Sequence, residues 1–294
     1  MFRVMEAVYS NRSIREVLRF GASFLKSVGI EEVTLESEIL LRFVLGFEDR
    51  ARLYIEYERL LNEEEWKRYL ALLMERAAKR PIAYIIGERE FYGLPFYINE
   101  SVLIPRPVTE HLVASVLERI EMSDKPCIDV LDIGTGSGCV GIALAVLDGR
   151  VRVVGTDISL EALAVAKKNI KRHKIGARMR LVCCDIAEPF WDGVRFDVVV
   201  SNPPYVTKEE YEKVPTDVRY EPSIALYAGE DGLLCYRPLV AQAYFLLKNG
   251  GLLALELNPN IAKKVEELVY TAGFSKIQIL SDYYGLPRVL LANR

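Results

Sequence analysis

Two short stretches and one carboxylate carry the residue types that could do chemistry. Val198-Val199-Val200-Ser201 is an apolar, β-branched run that ends abruptly in Asn202-Pro203-Pro204-Tyr205. The run reads as a strand buried on both faces, and two consecutive prolines stop its pairing. Proline also forces the residue before it into extended geometry, so Asn202 and Pro203 sit on a stiff backbone at a strand's carboxyl end. In open α/β sheets that edge is where ligands bind. A fixed Asn amide, a carbonyl with no N–H beside it and an aromatic face form a planar clamp. Such a clamp suits a flat carboxamide or an aromatic amine. Taken alone, the stretch reads equally as a proline-rich strand exit capped by a surface Tyr.

The second stretch is Asp132-Ile133-Gly134-Thr135-Gly136-Ser137-Gly138, between a short strand, Cys127–Leu131, and a helix running to Leu147. A strand that breaks into glycines and restarts as a helix lets backbone approach a ligand closely. The spacing is G-x-G-x-G, and Cys139 stands where a nicotinamide-binding fingerprint has its third glycine, which argues against a dehydrogenase. About 20 residues on, Val151–Asp157 is a strand ending in a carboxylate, the position that grips ribose hydroxyls in this topology. A lone glycine loop says little. The loop, the acidic strand end and the Asn-Pro-Pro-Tyr exit in this order say much more.

The elements that must position these residues alternate regularly. Helix Leu160–His173, strand Arg180–Asp185, strand Phe196–Ser201, helix Leu233–Leu247, strand Gly251–Leu257 and helix Asn260–Ala272 follow one another, with a long loop over Val206–Asp231. Ile277–Ser281 and Arg288–Ala292 form a closing antiparallel pair. The pattern predicts a mostly parallel sheet covered by helices.

Residues 1–80 read differently. Ser13-Ile-Arg-Glu16, a second helix over Leu35–Val44 that stops at Gly46, and Asn62 before Glu63, Glu64 and Glu65 mark three helix starts and stops. Trp66, Tyr69, Leu70, Leu73 and Met74 give the third helix its apolar stripe, and Pro81 is expected to close it. This bundle shows no nucleophile, metal cluster or phosphate loop, and by default it reads as a substrate-docking or lid module. Residues 81–107 then form a linker carrying a β-hairpin around Gly93-Leu94-Pro95, and residues 108–294 form the third segment. Arg106 and Glu110 read as a solvated pair at a helix start.

At 294 residues the chain exceeds one comfortable core, which agrees with two domains. A net charge of −3 argues against a dedicated nucleic-acid binder. The first residues, Met-Phe-Arg-Val-Met-Glu-Ala-Val, carry an early acid and no apolar core, so no secretory leader is expected, and no apolar run is long enough to span a membrane. Five cysteines without a C-x-x-C, and two histidines at no ligand spacing from them, argue against zinc and disulfides and for free thiols in a reducing cytosol.

With these residues in view, the chain resembles the class I S-adenosylmethionine-dependent methyltransferases, specifically the HemK-type family that methylates the glutamine amide nitrogen of peptide chain release factors. The resemblance covers nearly the whole chain. It rests on Pro81-Ile-Ala-Tyr84-x-x-Gly87, Glu90-Phe91-Tyr-Gly93-Leu, Ile104-Pro-Arg-Pro-x-Thr-Glu110, Asp132 to Gly138, Asn202-Pro-Pro-Tyr205, Tyr220-Glu-Pro222 and Asp231-Gly-Leu233. It implies an α/β fold: a seven-stranded, mostly parallel Rossmann-like methyltransferase sheet with a small N-terminal helical bundle and a linking hairpin. It further implies that Gly134, Thr135, Gly136, Ser137 and Gly138 contact the methionine part of S-adenosylmethionine and that Asp157 contacts the ribose. Ile186 then lies at the adenine, as an apolar contact where relatives often carry an aromatic. Asn202, Pro203, Pro204 and Tyr205 hold the substrate glutamine, with Asn202 also near the cofactor, and no metal is required.

The residue chemistry fits this picture. An amide nitrogen is a poor nucleophile and needs alignment and electron density, which the Asn202 side-chain oxygen and the Pro203 carbonyl can supply. Tyr205 is expected to pack on the flat amide. The implied substrate is the glutamine of a Gly-Gly-Gln loop in a release factor. The chain is expected to be a cytoplasmic monomer without membrane or direct nucleic-acid partners. Three other readings share some of this chemistry. An adenine-N6 methyltransferase on DNA or RNA clamps an exocyclic amine in the same way, but the acidic balance and the Ile-Pro-Arg-Pro segment speak against it. The related family acting on a ribosomal protein glutamine has Pro-Arg-Ser-Pro where this chain has Pro105-Arg106-Pro107. A non-catalytic cofactor-binding module leaves the acceptor half unexplained.

Overall fold

The computed structural model describes residues 12–190 and 193–294, so the N-terminal stretch read above for a leader lies outside the described residues. Contacts divide the chain between Gly87 and Glu88, and each unit has its own core.

The first unit consists of helices α1 (Ile14–Ser27), α2 (Val33–Leu45), α3 (Ala51–Ile55), α4 (Glu63–Ala77) and α5 (Ile82–Ile86). Asn62 and Glu65 exchange side-chain-to-backbone bonds in a full capping box at the start of α4, and Gly46 ends α2 in the left-handed conformation. Trp66, Tyr69, Leu70 and Leu73 are buried against Leu40 and Leu41 of α2. The Tyr69 hydroxyl shares a 2.7 Å hydrogen bond with Ser37. Gly21 makes room for it, because a Cβ there would stand 1.9 Å from that hydroxyl. Pro81 does not close α4 as expected. The helix ends at Ala77, Lys79 turns left-handed at φ 68°, and Pro81 instead caps the start of α5, where a fixed φ and a missing N–H do no harm.

The second unit opens with the hairpin β1 (Glu88–Phe91) and β2 (Leu94–Tyr97). Its turn is Tyr92-Gly93, not Gly-Leu-Pro. Phe91 pairs with Leu94, and both turn residues have positive φ (53° and 70°), the two-residue geometry that matches strand twist. A 3₁₀ turn, Pro107–Thr109, leads into α6 (Glu110–Glu121). The chain then alternates through β3 (Ile128–Ile133), α7 (Cys139–Leu147), β4 (Val151–Asp157), α8 (Leu160–Arg172), β5 (Met179–Cys183) and β6 (Phe196–Ser201). The long loop after β6 contains a short helix, α9 (Lys208–Glu212), and two 3₁₀ turns, Val218–Tyr220 and Ser223–Ala225. The chain finishes with α10 (Tyr236–Leu246), β7 (Leu247–Glu256), α11 (Ala262–Thr271), β8 (Ser275–Ser281) and β9 (Pro287–Asn293).

Seven strands form one sheet in the order β5-β4-β3-β6-β7-β9-β8, the first five parallel and the last two joined antiparallel. Helices α7 and α8 pack on β3, β4 and β5, α10 on β6 and β7, and α6 on β7 and β9. The central strand β6 is buried along its whole length because both faces of the sheet are covered. Sequence order reverses between β3 and β6, so the loops leaving those two strands diverge and leave a crevice at their carboxyl ends. Among the described residues, no helix is long and apolar enough to cross a membrane.

Candidate active site

The crevice is a cavity whose walls come from both strand exits and from the segment before α6. Gly134, Thr135, Gly136 and Ser137 line it after β3, Asp157 after β4, Ile186 after β5, and Asn202, Pro203 and Pro204 after β6. Gly138, expected with the loop, instead serves as the left-handed N-cap of α7, where a Cβ would meet Ile142 at 2.9 Å.

The glycine loop is held from below. Asp132 is 2 % exposed and accepts from the Thr135 hydroxyl at 2.6 Å and from the Gly141 amide at 3.1 Å. Burial pushes its carboxyl up to about 6, against the pull of those two donors. Asp157 accepts from the Gly136 amide at 2.9 Å and the Ser159 amide at 3.0 Å, and burial raises its pKa as well. Asn169, wholly buried on α8, donates to the carbonyls of Ser137 and Tyr97, each at 2.9 Å, and so ties the loop to the hairpin. Gly134 and Gly136 have φ of 69° and 54°. A Cβ on Gly134 would meet nothing within 4 Å, so the space above the loop is a backbone cradle that a side chain would fill. That cradle, three acidic wall residues (Asp132, Asp157 and Asp185) and the apolar Ile186 fit a group with a cationic centre and a flat apolar end. Ile186 itself is strained, a β-branched residue at φ 52°, and the Thr156 hydroxyl holds its carbonyl at 2.6 Å.

Across the cavity, the Asn202 side-chain Nδ2 donates to Thr109 Oγ1 at 3.2 Å. Its Oδ1 accepts no hydrogen bond among the described residues. Next to it stands the Pro203 peptide, which offers a carbonyl and no N–H. Both residues line the cavity, and each brings an acceptor oxygen on proline-restricted backbone.

Several sequence expectations are corrected here. Tyr205 is not among the residues that line the cavity. Its partly buried ring packs against the hydrophobic core and its hydroxyl interacts with Glu256, while Val206 beside it bridges to Tyr227. Arg106 and Glu110 do not pair with each other. Arg106 pairs with Glu221, 4 % exposed, which also accepts from the Ile104 amide at 3.0 Å. Glu110 instead accepts from the Tyr92 amide at 2.8 Å. Thr109, Pro222, Ile224 and Ala225 also line the cavity, while Asn169 and Glu221 hold lining residues in place from outside it. Only the Ile-Pro-Arg-Pro-x-Thr-Glu and Tyr-Glu-Pro patterns hinted at any of them.

Residues 16–87 match the family model described as PrmC N-terminal domain, and residues 111–217 match the model described as Methyltransferase small domain. A release factor glutamine methyltransferase from Geobacter sulfurreducens is 40% identical over 279 residues, covering 95% of this chain and 95% of that one. Another from Chlorobaculum tepidum is 39% identical over 285 residues, covering 95% of this chain and 96% of that one. Among solved structures, a 16S rRNA methyltransferase from T. thermophilus in complex with AdoMet and guanosine superposes with a TM-score of 0.54 at 23% identity, over 70% of this chain and 49% of that one. The structural likeness is one of fold.

Proposed function

The chain belongs to the release factor glutamine methyltransferase family, and from that membership we propose that it transfers a methyl group from S-adenosylmethionine to the side-chain amide nitrogen of the Gly-Gly-Gln glutamine of a peptide chain release factor, in the cytoplasm. The observation that carries the reading is that Asn202, whose Nδ2 is engaged by Thr109 Oγ1 and whose Oδ1 accepts no hydrogen bond among the described residues, lines one cavity together with Pro203 and the glycine loop.

When bound, S-adenosylmethionine supplies a sulfonium methyl group that is already activated toward displacement. Gly134 to Ser137 offer backbone to its methionine part, Asp157 its carboxylate to the ribose, and Ile186 an apolar face to the adenine. The acidic walls favour a cation in the cavity over a neutral group. Asn202 Oδ1 and the Pro203 carbonyl each accept one N–H of the substrate amide. Holding both hydrogens fixes the plane of the amide, points its nitrogen into the cavity and stabilises the positive charge that grows on it. The extra proton leaves after the new C–N bond forms, so no strong general base is needed.

The test is transfer of label from S-adenosylmethionine, with a release factor, its Gln→Ala loop variant and duplex DNA offered in parallel. Label in the intact factor alone is expected. Label in DNA, or in the Gln→Ala variant, would contradict the reading.

A further inference from the structure

Resting on that reading, we propose that Glu256 is a positioning residue which, acting through Thr109, fixes which end of the Asn202 amide faces the substrate. Glu256 is the last residue of β7, one step past Leu255, which pairs with Ser201 at the end of β6. It is 1 % exposed, and both its carboxylate oxygens are buried without a fully formed hydrogen bond. Its polar neighbours are the hydroxyls of Thr109 and Tyr205. A buried acid left this poorly satisfied destabilises a fold, and an apolar residue of the same shape would not. Glu256 does not line the cavity, so it does not act on substrate directly.

What it can do follows from hydrogen-bond polarity. The two ends of an Asn side chain are nearly the same size, but only one accepts. The clamp works with Oδ1 forward. With the amide turned round, an NH₂ would face the NH₂ of the substrate, donor against donor. An ionised carboxylate can only accept, so the Thr109 hydroxyl hydrogen turns toward Glu256 and its oxygen lone pairs are left for Asn202. The 3.2 Å bond from Asn202 Nδ2 to Thr109 Oγ1 has this polarity. If Glu256 is neutral, Thr109 is free to donate to Asn202 Oδ1 instead, and the orientation is lost.

The charged and titratable groups that bear on Glu256 come from every side: Arg288 of β9, Arg106 before α6, Tyr205 after β6, Tyr236 on α10 and Cys139 at the start of α7. Both arginines have carboxylate partners of their own, Arg106 with Glu221 and Arg288 with Asp282. Their attraction does not offset burial, which pushes the Glu256 carboxyl up to about 7. The acid limb of kcat therefore reports this group.

The experiment compares Thr109→Val, Thr109→Ser, Glu256→Gln and the Thr109→Val/Glu256→Gln double variant in release-factor methylation, with S-adenosylmethionine affinity measured on the same samples. Thr109→Val and Glu256→Gln should each lower kcat by about 10- to 100-fold while cofactor affinity moves by less than about threefold. Thr109→Ser should restore most of what Thr109→Val loses, the double variant should be no slower than the worse single one, and Glu256→Gln should flatten the acid limb. Should Glu256→Gln fail to fold, the Thr109 pair carries the test alone. A Thr109→Ser no better than Thr109→Val, a Thr109→Val at wild-type kcat, or additive losses would overturn the assignment. A wild-type chain that labels no release factor would overturn the function reading itself, a separate and recognisable result.

Discussion

The Ser201 hydroxyl donates to the Ile133 carbonyl at 2.7 Å, a buried bond between the last residues of β6 and β3. Those two residues also pair in register, so the glycine loop and the Asn-Pro-Pro exit leave the sheet from one fixed point. The positions of the loop and the exit relative to each other are therefore set by sheet geometry rather than by loop closure. This is the rigid first element that a reaction dependent on alignment requires.

Asp157 accepts from the Gly136 amide while lining the cavity, and in the proposed reading it also takes the ribose. Replacing it with Ala should weaken S-adenosylmethionine binding by about 10- to 100-fold, with kcat at saturating cofactor changed far less. Titration calorimetry checks this, and an unchanged dissociation constant would remove Asp157 from the cofactor site.

Gly134 has open space where a Cβ would stand. Gly134→Ala should fold, at a backbone cost of about 1–2 kcal/mol for its positive φ, yet lose at least about tenfold in cofactor affinity because the methyl enters the cradle. Thermal melting beside calorimetry separates the two effects. Intact affinity would mean that the cofactor does not approach this backbone.

Legibility in the sequence followed chain locality. Asn202, Pro203 and the glycine loop announced themselves because prolines and glycines constrain their own backbone. Asp157 was readable because a strand end has a fixed place in this topology. Asn169 and Glu256 were silent, since each acquires its role only when a distant element arrives beside it, and Thr109 showed only as part of the Ile-Pro-Arg-Pro-x-Thr-Glu pattern. Arg106 and Glu110 misled for the same reason: spacing on a helix suggested a mutual pair, and the fold gave each a partner from elsewhere. Tyr205 suggested stacking because it is an aromatic beside the clamp, whereas its ring packs, partly buried, against the core and does not line the cavity.

Glu256 also leaves a signature in stability. Its folded pKa of about 7 lies above the ordinary 4.5, so the folded chain holds a proton that the unfolded chain has released. Stability from this group is fully present below pH 4.5 and is lost as pH rises through 7, by up to ~3 kcal/mol. Glu256→Gln should remove that decline while leaving the smaller one from Asp132, which falls between 3.8 and about 6. Urea titrations at a series of pH values check it. A decline of the same size in the variant would contradict the assignment.

The most direct measurement is single-turnover methylation of a release factor by Asn202→Ala, with the product mapped to its residue and S-adenosylmethionine affinity measured on the same preparation. Loss of Oδ1 removes half of the acceptor pair. The rate of methylation of the loop glutamine should fall by at least about 100-fold, with cofactor affinity changed by no more than a few-fold. A variant that methylates the same glutamine at close to the wild-type rate would contradict the clamp, and with it the mechanism built on it.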